Sequence, residues 1–211
     1  AIGKTTTLAG ADVTSETVSL AGDGHYVIDG IDNTNFNNVT LTSLGNLTLN
    51  AADSATIDFD VTALDFTSLA TVKIIGDAGG DDTITIDSSN VSADSIHGDT
   101  GTDTLVVSES MDISGIAITS IEKYISDGGT LSVDGNDLHL NTLILDTTNN
   151  SHITINDATG STYGGLTFTS DDATTNLNFN AAGVGGTLDI STITTAGFSG
   201  EIFVTGDTGA D

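Results

Sequence analysis

The strongest constraint on this chain is the shortness of its apolar runs. Aliphatic and β-branched residues come in brief patches that alternate with Ser, Thr or Asn, as in Leu47-Thr48-Leu49 and Thr83-Ile84-Thr85-Ile86. Alternation of period two marks half-buried strands, and Gly, Asn, Asp or Ser closes each patch as turn chemistry requires. Strands are expected at residues 17–20, 25–28, 39–41, 47–49, 56–61, 72–75, 83–86 and 104–107. Further ones are expected at 130–133, 138–145, 152–155, 166–169, 177–179, 187–190 and 201–204. A helical period is not sustained anywhere; the best helical scrap is residues 116–124, one turn or two.

Many short strands fit either a sandwich or a solenoid. Three features favour the solenoid. The connections are Gly/Asn/Asp loops with no long crossing between sheets. Aromatic residues are only 5% of the chain, and there is no Trp or Cys pair of the immunoglobulin kind. Asn33, Asn35, Asn37 and Asn38 recur near strand ends, where stacked coils make side-chain ladders. At about 20 residues per coil the fold class is all-β, a parallel β-helix or β-roll solenoid. Residues 1–211 read as a single segment of it from a longer polypeptide.

Charge narrows the partners. Asp+Glu number 30 against Lys+Arg 3, a formal net charge of -27. Phosphate is repelled by such a chain, which excludes nucleic acid as a natural partner and disfavours anionic lipid. No apolar run approaches the ~20 residues of a membrane span, so direct insertion is not expected. With no Cys, neither disulfides nor Cys-based zinc sites are available. An exported chain without disulfides needs another staple, and a bound metal supplies one.

The acidity is nearly all aspartate, and part of it is patterned. Gly76-Asp77-Ala78-Gly79-Gly80-Asp81-Asp82-Thr83-Ile84 and Gly98-Asp99-Thr100-Gly101-Thr102-Asp103-Thr104-Leu105 are two versions of one loop, 22 residues apart from Gly76 to Gly98. A third start, Gly206-Asp207-Thr208-Gly209-Ala210-Asp211, stands at the end, where a half-site is expected. Gly lets backbone carbonyls turn inward, and Asp adds charged oxygens. Ca²⁺ takes 6–8 oxygen ligands, more than one loop supplies, so an ion is expected between loops of adjacent coils. The spacing stacks Asp81 and Asp82 near Asp99 and Asp103, with a strand at 84–86, an opposite loop at 87–94 and a return strand Ser95-Ile96-His97. The candidate ligands for Ca²⁺ are Gly76, Asp77, Gly79, Asp81, Asp82, Gly98, Asp99, Gly101, Asp103, Asp207 and Asp211.

These loops resemble the calcium repeats of the RTX class, G-G-x-G-x-D-x-U-x with U a large apolar residue. Gly98, Gly101, Asp103 and Leu105 fall on the pattern, while Asp99 stands where a second Gly is usual. The first loop carries one extra residue, Gly80 or Asp81, so Asp82 and Ile84 take the Asp and U roles. The order of elements from Val72 to Asp134 resembles the assembly region of calcium-dependent bacterial surface-layer proteins and the related giant RTX adhesins. That resemblance implies type I secretion, an extracellular cell-surface location, and folding on meeting external calcium. It also implies self-assembly into a surface lattice, with a cell-surface polysaccharide as a further partner. The leading expectation is a structural segment, RTX-like at residues 76–107 with a truncated loop at 206–211. The alternative is a calcium-dependent adhesin module gripping a surface or glycan.

Other chemistry reads weakly, and no catalytic residue is assigned. His25, His97, His139 and His152 are scattered without metal spacing. There is no G-x-S-x-G, and with no Arg and few aromatics the carboxylates lack the partners that grip a sugar in glycosidases. Gly128-Gly129, Gly164-Gly165 and Gly185-Gly186 read as coil corners. Asn38, Asn46, Asn90 and Asn149 open N-glycosylation patterns of the kind a Thr/Asn-rich chain produces by chance. Phe59, Phe66, Phe168, Phe179 and Phe203 are assigned to the core.

Overall fold

The computed structural model describes residues 4–15, 17–31, 36–37, 39–42, 45–52, 58–138, 144–156, 166–170, 174–180, 190, 193–196, 198 and 200–206. The fold is an all-β solenoid of stacked parallel coils. The chain forms two compact units, residues 1–105 with 115–121, and residues 106–114 with 122–211.

In the first unit one wall is a parallel sheet of six strands in chain order: Thr5–Ala9, His25–Ile31, Asn46–Ala51, Thr71–Ile75, Ser95–His97 and Ala117–Thr119. Thr5 pairs with His25, His25 with Asn46 and Asn46 with Thr71, so successive coils take 20, 21 and 25 residues. Asp58–Asp60 beside Thr83–Ile86, and Val18–Leu20 beside Val39–Leu41, form the other walls. Period-two alternation fixes what each wall buries. Ile28, Leu49, Ile74 and Ile96 lie in register one above the next, all fully buried. Each such side chain contributes about 1.5–3 kcal/mol on leaving water.

The second unit repeats the plan. Lys123–Asp127, Ile144–Thr148, Thr167–Ser170 and Thr194–Ala196 form one wall. Met111–Asp112, Thr130–Asp134, His152–Asn156, Asn176–Asn180 and Glu201–Thr205 form another. Leu131, Ile153 and Leu177 stack as one interior column, and Val133, Ile155 and Phe179 as a second. Ile202 and Val204 continue these columns but are 41% and 54% exposed.

Asn ladders form, though at other positions than the Asn33–Asn38 cluster, of which Asn33, Asn35 and Asn38 lie outside the described residues. Asn180 Nδ2 donates to Asn156 Oδ1 at 2.9 Å, and Asn50 Nδ2 donates to Asp29 Oδ1 at 2.7 Å.

Three expectations are corrected. Residues 116–124 are not helical: Ala117–Thr119 and Lys123–Asp127 are strands, because pairing with the adjacent coil outweighs a weak local preference. The strand expected at 138–145 is Ile144–Thr148, while Leu138 ends a helical turn, Gly135–Leu138, that buries its side chain. Phe203 is not core. It pairs with Asn178 in an outward column and is 44% exposed, whereas Phe66, Phe168 and Phe179 are fully buried. The Phe59 side chain and residues 187–189 lie outside the described residues. A short helix, Gly10–Ser15, carries Val13 into the first unit's interior.

Candidate functional site

The two Gly-Asp loops of the first unit stack on consecutive coils. Strand Thr71–Ile75 leads into the first and strand Ser95–His97 into the second, and Thr83–Ile86 and Thr104–Val107 lead away. Gly76 N donates to His97 O at 2.7 Å, and Gly98 N donates to Thr119 O at 3.0 Å. The glycines are demanded by this stacking. A Cβ at Gly76 would run into the Gly98 carbonyl oxygen, and one at Gly98 into that of Ser120. Gly101 adopts φ +148° with the Gly80 carbonyl against it. Asp99 is held at φ +77°, a region where Asp is tolerated better than most side chains.

The extra residue of the first loop can now be placed. Thr100 Oγ1 donates to Ala78 O, 22 residues away, at 2.6 Å. Thr102 N donates to Asp81 Oδ1, 21 residues away, at 2.7 Å. The slip therefore falls at Gly79–Gly80, and Asp81 is not the insertion. Asp82 faces Asp103 as expected: Asp82 N donates to Asp103 Oδ1 at 2.8 Å, and Thr104 N to Asp82 O at 2.7 Å.

Burial sorts the aspartates. Asp77, Asp82 and Asp103 are 2%, 1% and 0% exposed. Asp82 Oδ2 accepts the Asp77 N–H at 2.6 Å, and Asp77 Oδ1 accepts the Gly79 N–H. Asp81 is exposed, and Asp99 lines an open cleft with Asp77 and Asn50. So Gly76, Asp77, Gly79, Asp81, Asp82, Gly98, Asp99, Gly101 and Asp103 are gathered at one corner of two coils. Asp207 and Asp211 lie outside the described residues. No group of three or more His, Asp or Glu side chains at metal-holding distances occurs among the described residues. The carboxylates serve instead as acceptors for backbone amides of their own and the neighbouring coil.

A buried carboxylate costs several kcal/mol unless it is hydrogen-bonded, paired or coordinated. Amide donors meet part of that demand here, as at a helix N-cap. Basic side chains are scarce, and Lys123 is engaged elsewhere, 3.0 Å from Asp146. The buried Asp side chains at this corner offer oxygen atoms alone. That chemistry suits a hard divalent cation.

Sequence reasoning placed an opposite loop at 87–94 but missed the cap that closes it. Asp87 caps the turn Ser88–Asn90: its Oδ1 accepts the Ser89 N–H at 2.8 Å, and Asp87 N donates to Asn90 Oδ1 at 3.0 Å. Asn90 is fully buried, and its Nδ2 donates to Leu64 O at 2.7 Å and Val61 O at 3.2 Å. Its glycosylation pattern is therefore closed in the folded chain. The signal was the spacing of Asp87 and Asn90, a capping box with Asn in the last position. Of the histidines, His25 and His97 bond Thr48 and Thr119 on neighbouring coils, and His152 Nδ1 accepts the Asn176 N–H. His139 lies outside the described residues. The Asp65 carboxyl is held below its ordinary value by the Thr67 hydroxyl and then the Thr67 amide. Compared with family models, curated proteins and solved structures, the chain has no match.

Proposed function

We propose that this chain is a structural, noncatalytic segment of a secreted bacterial surface-layer protein, in which calcium staples adjacent coils and supports self-assembly. The observation that carries this reading is the burial of Asp77, Asp82 and Asp103 on two stacked coils of a chain with net charge -27. Their carboxylate oxygens would hold the ion, and Asp81 and Asp99 stand at the outer side of the same corner. Bound calcium supplies a divalent charge that offsets the mutual repulsion of these carboxylates. The amide hydrogen bonds around them hold the loops in register in either case. Resemblance of the paired loops to RTX repeats supports calcium over other cations, and the absence of Cys suits a chain stapled by metal.

The test is thermal unfolding followed by circular dichroism, in excess EDTA, in millimolar Ca²⁺ and in millimolar Mg²⁺. At a hundredfold excess over Kd one site adds about 2.7 kcal/mol, a rise of roughly 5–11 °C for a chain of this size. Calcium is expected to give that rise and magnesium is not. Light scattering of the calcium-loaded protein then reads assembly. Superimposable melts in EDTA and calcium would remove the staple and leave the loops as turns closed by aspartate.

A further inference from the structure

The three described histidines each reach the following coil, but only one of them meets a partner whose role is fixed. His25 Nε2 lies 3.0 Å from Thr48 Oγ1, and His97 Nδ1 lies 2.7 Å from Thr119 Oγ1. A hydroxyl donates or accepts, so it serves the neutral ring and the imidazolium alike. His152 Nδ1, in the second unit, instead accepts the backbone N–H of Asn176 at 3.0 Å. An amide N–H can only donate. Nδ1 must therefore keep its lone pair, which places the proton of the neutral ring on Nε2.

This bond heads an outward row that links strands His152–Asn156 and Asn176–Asn180. Further along the row, Asn178 Nδ2 donates to Thr154 Oγ1 at 3.3 Å and Asn180 Nδ2 to Asn156 Oδ1 at 2.9 Å. Neither of those bonds contains a titratable group. Backbone pairing of the two strands runs from Ile153 with Leu177 to Ile155 with Phe179, so the ring holds the amide just ahead of the ladder. His152 and Asn176 are both half-buried, which limits the water that could take the ring's place.

We infer that His152 is an acid-sensitive latch between these two coils, closed by the neutral ring and opened when the ring takes up a proton. Both nitrogens of an imidazolium are donors, so no rotation of the ring restores an acceptor for the Asn176 amide. The latch contributes stability above about pH 6.5, the ordinary histidine value, and that contribution is lost as pH falls below it. The partner of His152 on the preceding coil, Thr130, is uncharged, and Asp134 lies at the far end of the same strand. Asp146, across the coil, is 3.0 Å from Lys123, and Asp127 accepts from Thr148 and Asn149. Glu201 pairs with Asn176 from the strand beyond. Asp157, Asp171 and Asp172 lie outside the described residues. A carboxylate near the ring would ease its protonation without giving the amide an acceptor. The latch does not depend on the calcium corner, which belongs to the first unit.

Nitrogen-15 NMR of the whole chain, with calcium in excess, tests this without any variant. At about pH 7.5 Nδ1 of His152 should be bare and Nε2 protonated, and the Asn176 amide should shift in step with the ring as pH falls to about 5.5. His152→Asn then supplies Oδ1, an acceptor on the same carbon that does not titrate. Denaturant unfolding is followed through the amide signals of Asn176–Asn180. Over that pH range the folding equilibrium of the wild type, relative to His152→Asn, should fall about fivefold or more. His25→Asn should keep the wild-type response. The inference is overturned if Nδ1 carries the proton at the higher pH, or if the Asn176 amide ignores the ring's titration. Parallel losses in wild type and His152→Asn would also overturn it, as would a response that His25→Asn abolishes equally.

Discussion

Asp103 Oδ1 accepts the backbone N–H of Asp82 at 2.8 Å, across one full coil and 21 residues of sequence. A single carboxylate thereby ties two stacked loops together from a position with no solvent exposure.

Asp103→Ala is expected to leave the Asp82 amide buried without its acceptor, which costs about 1–3 kcal/mol. Asp127 also bridges coils, accepting from Thr148 Oγ1 at 2.9 Å and from Asn149, but at a partly exposed edge. Asp127→Ala is expected to cost about half as much or less. Denaturant unfolding of the two variants checks the order. Equal losses would contradict the assignment of Asp103 as the central acceptor of the corner.

Gly98→Ala presses a methyl group on the Ser120 carbonyl oxygen and on the fully buried Asp103 side chain. Overpacking against backbone should destabilise by about 2–3 kcal/mol or more. Gly115 has open space at the same position, and Gly115→Ala should be neutral or stabilise by up to about 1 kcal/mol. Thermal melts of both variants read the contrast.

Asp65 is fully exposed, and the Thr67 hydroxyl and amide, at 2.6 and 2.9 Å, favour its charged form. Its folded pKa is lowered, so its contribution to stability is present above the unfolded-state pKa. That contribution is lost as pH falls through the folded value. Carboxyl carbon NMR should show Asp65 titrating below an ordinary aspartate, and Thr67→Val should move it up. An unchanged midpoint in the variant would assign the shift to another cause.

The solenoid was legible because its signal is local. Thr83-Ile84-Thr85-Ile86 alternates without ambiguity, and the structure keeps those strand limits. The facing of Asp82 and Asp103 was legible from loop spacing alone. Phe203 was not, because the side it faces depends on the phase of its strand, which its pairing with Asn178 decides. The turn at 116–124 failed for a related reason: Ala117 N bonds Asp94 O on the preceding coil, a partner no local window contains.

The slip at Gly79–Gly80 bears on how such a chain changes over generations. Contacts between the two loops span 22 residues before it and 21 after it, yet Ile74 and Ile96 ahead of the loops and Ile84, Ile86, Leu105 and Val107 beyond them are all buried. Length is therefore absorbed at a corner, and one inserted codon there leaves every inward residue inward. The same codon inside Thr83–Ile86 would turn the rest of that strand inside out. Corners are where homologous coils can drift in size, and where a peptide tag can enter without disturbing the walls.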